Sequence, residues 1–116
     1  MTDTPARLFL GRAPAPGDTV FTAADLTTVR EIVICNTDGE PRGAGQTCDV
    51  GISLVPSGDT AGLDNRIVPD QAVEPAEQVR IDCATVMEAG DALWVRASAP
   101  DRVTVCISGV VHEEES

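Results

Sequence analysis

The sequence predicts an all-β fold, a single antiparallel β-sandwich or jelly-roll-like domain of about eight short strands. Its apolar segments either alternate with polar residues or form short continuous runs, patterns typical of half-buried and fully buried strands. Pro, Gly, Asn and Asp punctuate the chain between these segments and interrupt every stretch that could sustain a helical period. The predicted strands are Arg7–Leu10, Asp18–Thr22, Thr27–Asn36, Thr47–Val55, Arg66–Val68, Gln78–Ala84, Ala92–Ser98 and Arg102–Val111.

The N-terminal half is predicted to supply a central strand. Arg7–Leu10 ends at the turn-rich sequence GRAPAPG, and Asp18–Thr22 follows that turn. Residues 23–26 have no helical periodicity and are predicted to form a loop. Thr27–Asn36 is the first long strand, and its second half is apolar on both faces, as a central position requires. Residues 36–46, rich in Gly, Pro, Asn and Asp, then reverse the chain.

The C-terminal half alternates more regularly. Arg66–Val68 is stopped by Pro69, which places this region at a sheet edge or in a crossover. A turn at residues 88–91 leads into the strand Ala92–Ser98. The residues predicted to face inward are Cys48, Val50, Ile52 and Leu54 in one strand, Val79, Ile81 and Cys83 in another, and Val103, Val105 and Ile107 in the last. The sandwich is predicted to occupy residues 1–111, with an acidic, solvated tail at residues 112–116.

The chain lacks most of the residue types on which enzyme chemistry depends. The chain has no lysine or tyrosine, and its single histidine, His112, falls in the predicted tail. Schiff-base lysines, Ser–His or Cys–His nucleophile pairs and multi-histidine metal sites are therefore excluded or confined to the C-terminus. We expect a building block or binding module rather than an enzyme, with no catalytic residues, no cofactor and no metal.

The charge of the chain restricts its partners. Nineteen acidic residues against eight arginines give a formal charge of −11, which repels nucleic acid and anionic membranes. The use of arginine alone as the cation is typical of a high-GC genome, and an acidic surface without lysine also suits a high-salt host. The N-terminal sequence MTDTPARLFL has no signal-peptide pattern, so synthesis in the cytoplasm is expected.

The four cysteines do not have the spacing of a metal knuckle or of a disulfide-rich secreted scaffold. Strand phase predicts that Cys48 and Cys83 face inward and that Cys106 faces outward with Thr104, whereas Cys35 is ambiguous. Reduced thiols acting as small hydrophobic residues are expected in a cytoplasmic product. A Cys35–Cys48 bridge across one hairpin loop, or another inter-strand bridge, is the alternative.

Four further features of the sequence have ordinary structural explanations. Asp59, Asp64, Asn65 and Asp70 could offer oxygens to calcium, but their spacing matches no EF-hand and these residues are common turn formers. RGAGQT lacks the lysine of a phosphate-binding loop. A carboxylate pair such as Glu88 and Asp91 is inevitable in so acidic a chain. Trp94, flanked by Leu93 and Val95, is predicted to be a core or interface anchor rather than a ligand platform.

The order of these strands and turns resembles a group of small structural proteins of tailed bacteriophages. The resemblance rests on a T.V..IV.CNT strand at Val29–Thr37, a LVPSG strand end at Leu54–Gly58 and an AGD.L.V.AS turn and strand at Ala89–Ser98. It spans nearly the whole chain, and its motifs are turns and core strands, which specify a fold more firmly than a role.

The resemblance implies a non-enzymatic virion protein, present in many copies as a capsid decoration or tail-associated subunit. Its partners would be other virion proteins and further copies of itself. A receptor- or carbohydrate-binding module of a host-recognition apparatus is the alternative function. Trp94 separates the two, because a glycan binder would expose this ring and a packing subunit would bury it.

Overall fold

The described part of the chain contains eight strands and one 3-10 turn. The computed structural model describes residues 2–38 and 45–113. The strands are β1 (Thr2–Arg12), β2 (Asp18–Thr22), β3 (Leu26–Asn36), β4 (Cys48–Val55), β5 (Arg66–Val73), β6 (Gln78–Met87), β7 (Ala92–Ala97) and β8 (Val103–Glu113). The 3-10 turn, Leu63–Asn65, lies between β4 and β5. The all-β prediction is confirmed.

The strands form two four-stranded antiparallel sheets. Sheet A has the order β1-β8-β3-β6, and sheet B has the order β2-β7-β4-β5. Each strand of the first half pairs with its counterpart counted from the other end of the chain: β1 with β8, β2 with β7, β3 with β6 and β4 with β5. The chain is thus one long hairpin wrapped into a sandwich, which is the jelly-roll arrangement.

The core lies between the two sheets and is aliphatic. Alternation along β3, β7 and β8 turns every second side chain inward, as expected for strands with one buried face. The largest fully buried side chains are Ile32, Ile34, Ile52, Met87, Leu93 and Ile107, with Val29, Val50, Val73, Val95, Val103 and Val105. The inward prediction for Val103, Val105 and Ile107 is therefore confirmed.

Three strands at sheet edges, β1, β5 and β6, run further than the sequence predicted, and β6, predicted as Gln78–Ala84, continues to Met87. Predicted as Arg7–Leu10, β1 extends over Thr2–Arg12 and includes Pro5. Likewise β5 continues past Pro69 to Val73 instead of stopping there. A proline costs no ladder bond where its nitrogen points away from the neighbouring strand, so an edge strand tolerates it. The edge position predicted for the β5 region is confirmed.

The C-terminal boundary also differs from the prediction. His112 and Glu113, assigned to the acidic tail, are the last residues of β8. They pair with β1, where His112 lies opposite Asp3, and His112 also lies opposite Leu26 of β3. Pairing on both sides keeps this polar end of β8 in strand conformation. Residues 114–116 of the predicted tail lie outside the described residues.

The outer face of β4 is buried at two positions. Alternation with the inward residues Val50 and Ile52 predicts that Gly51 and Ser53 face solvent, yet both are buried, and Ser53 is 0% exposed. Both residues are covered by Arg66 and Asp70 of β5 and by Arg96 of β7. Leu54, predicted inward, is only half-buried, while Val55 is buried.

The chain reversal predicted over residues 36–46 lies mostly outside the described residues. At its described start, the buried Asn36 side chain donates hydrogen bonds to the carbonyl oxygens of Gln46, at 3.0 Å, and Val73, at 2.8 Å. Its own carbonyl oxygen accepts from the Asp38 amide at 2.9 Å. The Asn36 side-chain amide thus connects three chain segments, and both of its polar atoms are hydrogen-bonded.

Within the described residues, no helix is long and apolar enough to cross a membrane.

Candidate assembly surface

The outer face of sheet A carries a row of apolar side chains across three strands. The register places Leu10 of β1 opposite Cys106 of β8, and Cys106 opposite Val33 of β3. Leu10 is 53% exposed, and the other two are half-buried. Val86 of β6, on the same face, is 57% exposed. An apolar row open to solvent on a regular sheet is a feature of interaction surfaces.

The outer face of sheet A is also much less acidic than the rest of the chain. Its charged residues are Arg7, Arg12, Arg30 and Arg80, with Asp3, Glu31 and Asp82. Among the residues that the structure describes, four of the seven arginines but only three of the sixteen acidic residues therefore lie here. Near-neutral charge lets this face approach another protein surface with little of the repulsion that the chain as a whole would cause.

A shallow depression interrupts this face where β3 bulges. Its lining consists of Pro5, Ala6, Arg7, Arg30, Ser108, Gly109 and Val110. Arg30 is the extra residue of a β-bulge against β8, which turns its side chain out of the regular ladder. Gly109 is required here, because a Cβ atom would overlap the carbonyl oxygen of Thr28. Among the described residues, Arg7 and Arg30 have no ion-pair partner, so both guanidinium groups remain available to a partner.

The single histidine joins three strands at one end of the outer face of sheet A. His112 Nδ1 lies 2.8 Å from Asp3 Oδ1, and His112 Nε2 lies 2.9 Å from Thr28 Oγ1. With the proton on Nδ1, the ring donates to the Asp3 carboxylate and accepts from the Thr28 hydroxyl. Sequence reasoning missed this cluster, since it placed His112 in a solvated tail, and only the pairing of β1 with β8 brings Asp3 to it.

This cluster has the connectivity of a nucleophile–base–acid triad, but its surroundings favour a structural role. Acyl transfer also requires preorganised donors for the oxyanion and a substrate cleft. Thr28 lies on β3 and His112 on β8, both interior strands whose backbone amides serve neighbouring strands on either side. Asp3, the third member, is 61% exposed. The cluster is best described as a polar clamp across β1, β8 and β3, and the non-enzymatic character of the chain stays a prediction.

All four thiols are free in the structure. Cys48 is buried and accepts a hydrogen bond from Ser98 Oγ at 3.5 Å, and Cys83 packs against the core. Both inward predictions are confirmed, as is the outward position of Cys106. Cys35, ambiguous from the sequence, lies on the outer face of sheet A. It is therefore on the wrong side of the sheet to reach Cys48. The redox state of the thiols in cells stays a prediction.

The outer face of sheet B is covered by a charged cluster over Gly51. Asp70 Oδ1 lies 3.4 Å from Arg66 Nη1, and Asp70 Oδ2 lies 3.6 Å from Arg96 Nη1. Arg66 also donates through Nε to the buried hydroxyl of Ser53 at 3.1 Å. A Cβ atom on Gly51 would lie 2.6 Å from Asp70 Oδ1, so only glycine leaves room for the cluster. These side chains satisfy one another and explain the burial of Gly51 and Ser53.

The loop residues that could have bound calcium are used in other ways. Asn65 accepts from the Gly62 amide at 3.0 Å and donates to the Thr60 carbonyl at 2.9 Å, which shapes the β4–β5 loop. Asp70 belongs to the cluster on sheet B. In the part of the chain that the structure describes, no three His, Cys, Asp or Glu side chains converge on a metal position. The structure therefore does not bring this predicted set together.

Asp91 of the candidate carboxylate pair has a turn-forming role. Its Oδ2 accepts from the Glu88 amide at 2.9 Å, and its Oδ1 accepts from the Ser57 amide at 3.3 Å. One carboxylate thus connects the β6–β7 turn to the end of β4. An Asp side chain that accepts from nearby backbone amides is common in turns.

The three aromatic residues of the chain all lie within the described part, and none offers an open platform. Phe9 and Phe21 pack against the core. Trp94 is half-buried on the outer face of sheet B, opposite Thr19, and its ring occupies the space where a side chain at Gly17 would lie. Trp94 therefore fixes the β1–β2 loop to sheet B.

Comparison with known proteins identifies a fold and no family. No protein-family profile and no curated protein matches the chain. Among solved structures, a chain in the structure of infectious bursal disease virus, Gx strain, is similar with a TM-score of 0.52 at 13% identity. The match covers 99% of this chain and 34% of the viral chain. The whole sandwich thus corresponds to about a third of that protein, and at this identity the likeness concerns the fold alone.

Proposed function

We propose that this protein is a non-enzymatic structural or accessory subunit of a virus particle. More specifically, we assign it to a tailed phage or related virus, in many copies, as a capsid decoration or tail-associated subunit. It is held there by contacts with other virion proteins, without a cofactor, a membrane or nucleic acid. Synthesis takes place in the host cytoplasm, before assembly.

The outer face of sheet A is the observation that carries this proposal. It combines an exposed apolar row with near-neutral charge, while most of the acidic residues lie elsewhere on the sandwich. A subunit with one such face can pack that face on a particle and keep the acidic remainder in solvent. The fold likeness to a chain of a virus structure and the resemblance of the turn motifs to small phage proteins point in the same direction.

An exterior position fits the charge distribution better than the interior of a tube that conducts DNA. The acidic residues away from the outer face of sheet A include Asp18, Asp49, Asp59, Asp64, Asp70, Glu74, Glu77 and Glu88, all exposed or half-exposed. Keeping these carboxylates in contact with solvent costs little free energy, because water and counterions screen their charges. We therefore place the subunit on the outside of the particle, with the outer face of sheet A toward its partner.

A carbohydrate- or receptor-binding module is the alternative, and the aromatic residues support it poorly. Sugar sites typically use an open aromatic ring as a stacking surface. Here Trp94 lies against Gly17, and both phenylalanines pack on the core. A glycan array probed with the purified chain tests this alternative, and specific binding lost on Trp94→Ala would establish it.

Peptide counting on purified particles tests the proposed function. The protein is expected in particles at a constant ratio to the major capsid or tail protein, in many copies. Its absence from particles, or its presence only in infected-cell lysate, would overturn a structural role.

Substitution on the outer face of sheet A tests the surface itself. Val33→Glu places a charge in the apolar row, so the copy number per particle is expected to fall by about tenfold, equivalent to about 1.4 kcal/mol of lost contact energy. Leu63→Glu is the matched control, because Leu63 is 85% exposed on the β4–β5 loop, away from that face. Equal incorporation of both variants and the parent would show that another surface makes the contact.

A further inference from the structure

The four edge strands of the sandwich differ in how they are protected from pairing with another chain. Natural edge strands avoid such pairing through prolines, bulges or short length. Pro5 and a register shift at Leu8 protect β1, and Pro69 and two register shifts protect β5. At five residues, β2 is short and also has a register shift. All three are therefore poor templates for a further strand.

The remaining edge strand, β6, has ten residues and no proline. Its first half, Gln78–Asp82, pairs residue by residue with β3, and its irregularity follows at residues 83–84. Its outer side is unpartnered in the sheet order. Half-buried Val79, Ile81 and Cys83 line the inner side of this edge, where a further strand would cover them. This edge is open to strand addition.

Charge along β6 indicates that the added strand is a second copy of β6. Arg80 and Asp82 are exposed neighbours on the outer face of sheet A, two residues apart. If two β6 strands pair antiparallel about a twofold axis at Ile81, Arg80 of each copy lies opposite Asp82 of the other. Two opposite-charge cross-strand pairs then form, which is a favourable arrangement.

The same charges disfavour the neighbouring registers. Val79, Ile81 and Cys83 of both copies keep facing the core only if the second strand shifts along the first by two residues, since a shift by one residue would turn its side chains to the other face. The nearest alternative on one side places Arg80 opposite Arg80, and on the other side it places Asp82 opposite Asp82. Like charges directly opposite one another are destabilising. Only the register centred on Ile81 pairs both charges favourably.

We propose that β6 is a self-association edge, through which two copies of this chain join their A sheets into one continuous eight-stranded sheet about a twofold axis at Ile81. Arg80 is 62% exposed and lies 3.5 Å from Glu31 of its own chain, so its guanidinium can bridge Glu31 and the second copy's Asp82. Asp82 has no ion-pair partner among the described residues. This contact goes beyond the proposed function and does not depend on it, because the dimer forms in solution without a particle.

Sedimentation equilibrium of the full chain, with charge-reversed variants, tests the proposal. The parent chain is expected to be a reversible dimer in the micromolar to millimolar range. Arg80→Asp and Asp82→Arg each place like charges opposite one another, so each is expected to raise the dissociation constant by about tenfold or more. Mixing the two variants restores both pairs, because the two carboxylates of one variant then face the two guanidinium groups of the other. A 1:1 heterodimer of parental affinity is expected.

Two controls make the test specific to β6. Asp18→Arg and Arg7→Asp repeat the two charge changes on β2 and β1, and both are expected to leave the dimer intact. Circular dichroism of each variant confirms folding, and the mixing experiment shows that each single variant remains competent to pair.

Several outcomes would overturn the proposal. These are a chain that stays monomeric at every concentration, a dimer indifferent to both reversals, or variants that do not rescue one another when mixed. A dimer that disappears in reductant would also overturn it, since that dimer would be a disulfide product of the nearby Cys83. Each of these results is independent of whether the protein is found in particles.

Discussion

At the residue scale, three glycines are explained by neighbouring atoms that leave no room for a side chain. Gly109 is the sharpest case, because the β3 backbone occupies the space of its side chain. A side chain at Gly51 would overlap Asp70, and a side chain at Gly17 would overlap the Trp94 ring. At Gly109 and Gly51 glycine is fixed by a neighbour distant in sequence, whereas Gly17 also has a φ of 149°, a backbone conformation that itself favours glycine.

Gly109→Ala is expected to destabilise the protein by about 2–3 kcal/mol, since its Cβ overlaps a backbone oxygen that cannot move without displacing β3. Gly62→Ala is the matched control, because Gly62 has an extended φ of −168° and no atom within 4 Å of an added Cβ. Urea unfolding of both variants measures the difference. Equal stability of the two would contradict the close approach of β8 to β3.

His112→Ala is expected to cost about 1–2 kcal/mol, because two hydrogen bonds across three strands are lost. A double-mutant cycle with Thr28→Val should give a coupling energy of about 0.5–1.5 kcal/mol. Thr22→Ala, at an exposed position on β2, should change little. Hydrolysis of an activated ester far above the rate of free imidazole, and lost in His112→Ala, would contradict the structural role of this cluster.

At the element scale, the ends of the strands were the least predictable feature. The sequence placed β2 within its observed bounds and β3 within one residue, because turn residues flank both. It cut β1 and β5 short at polar or proline-containing stretches that edge strands tolerate. It also ended β8 too early, because nothing in the sequence HEEES indicates a partner across the sheet.

The C-terminal end of β8 gives a direct test of this correction. A chain that ends at Val111 loses the pairing of His112 and Glu113 with β1 as well as the polar clamp. Its free energy of unfolding is expected to fall by about 3 kcal/mol relative to a chain that ends at Glu113, a larger loss than for His112→Ala alone, because the backbone pairing with β1 is lost as well. Thermal unfolding of the two truncated chains measures it. Equal stability of the two chains would indicate that His112 and Glu113 belong to a solvated tail.

At the scale of the whole molecule, the uneven distribution of charge dominates. With nineteen acidic residues and eight arginines, the chain has a net charge of −11, and this excess negative charge makes the compact domain repel itself. Among the ion pairs of the described residues, Arg80–Glu31 and Arg96–Asp70 are the more exposed and contribute little that salt could weaken. Screening therefore removes more repulsion than attraction.

Raising NaCl from low to near-molar concentration is accordingly expected to raise the Tm by roughly 3–6 °C, corresponding to about 1 kcal/mol. The same series in a chain with three exposed carboxylates neutralised, Asp18→Asn, Asp49→Asn and Asp59→Asn, should show a smaller increase. Differential scanning calorimetry checks both. A Tm that falls with salt would indicate that the ion pairs, rather than the net charge, control stability.

The sequence by itself determined the fold class, the aliphatic core, the inward strand faces and the scarcity of catalytic residues, because alternation and turn chemistry are local properties of the chain. Only the tertiary structure decided which strands became neighbours. That pairing put Asp3 beside His112, placed the Asp70 cluster over Gly51, left β6 as a long edge strand without proline and brought four arginines to the outer face of sheet A. The physical reason is that the nested pairing of β1 with β8 and β3 with β6 joins residues far apart in the chain, and no local pattern records the register of such contacts.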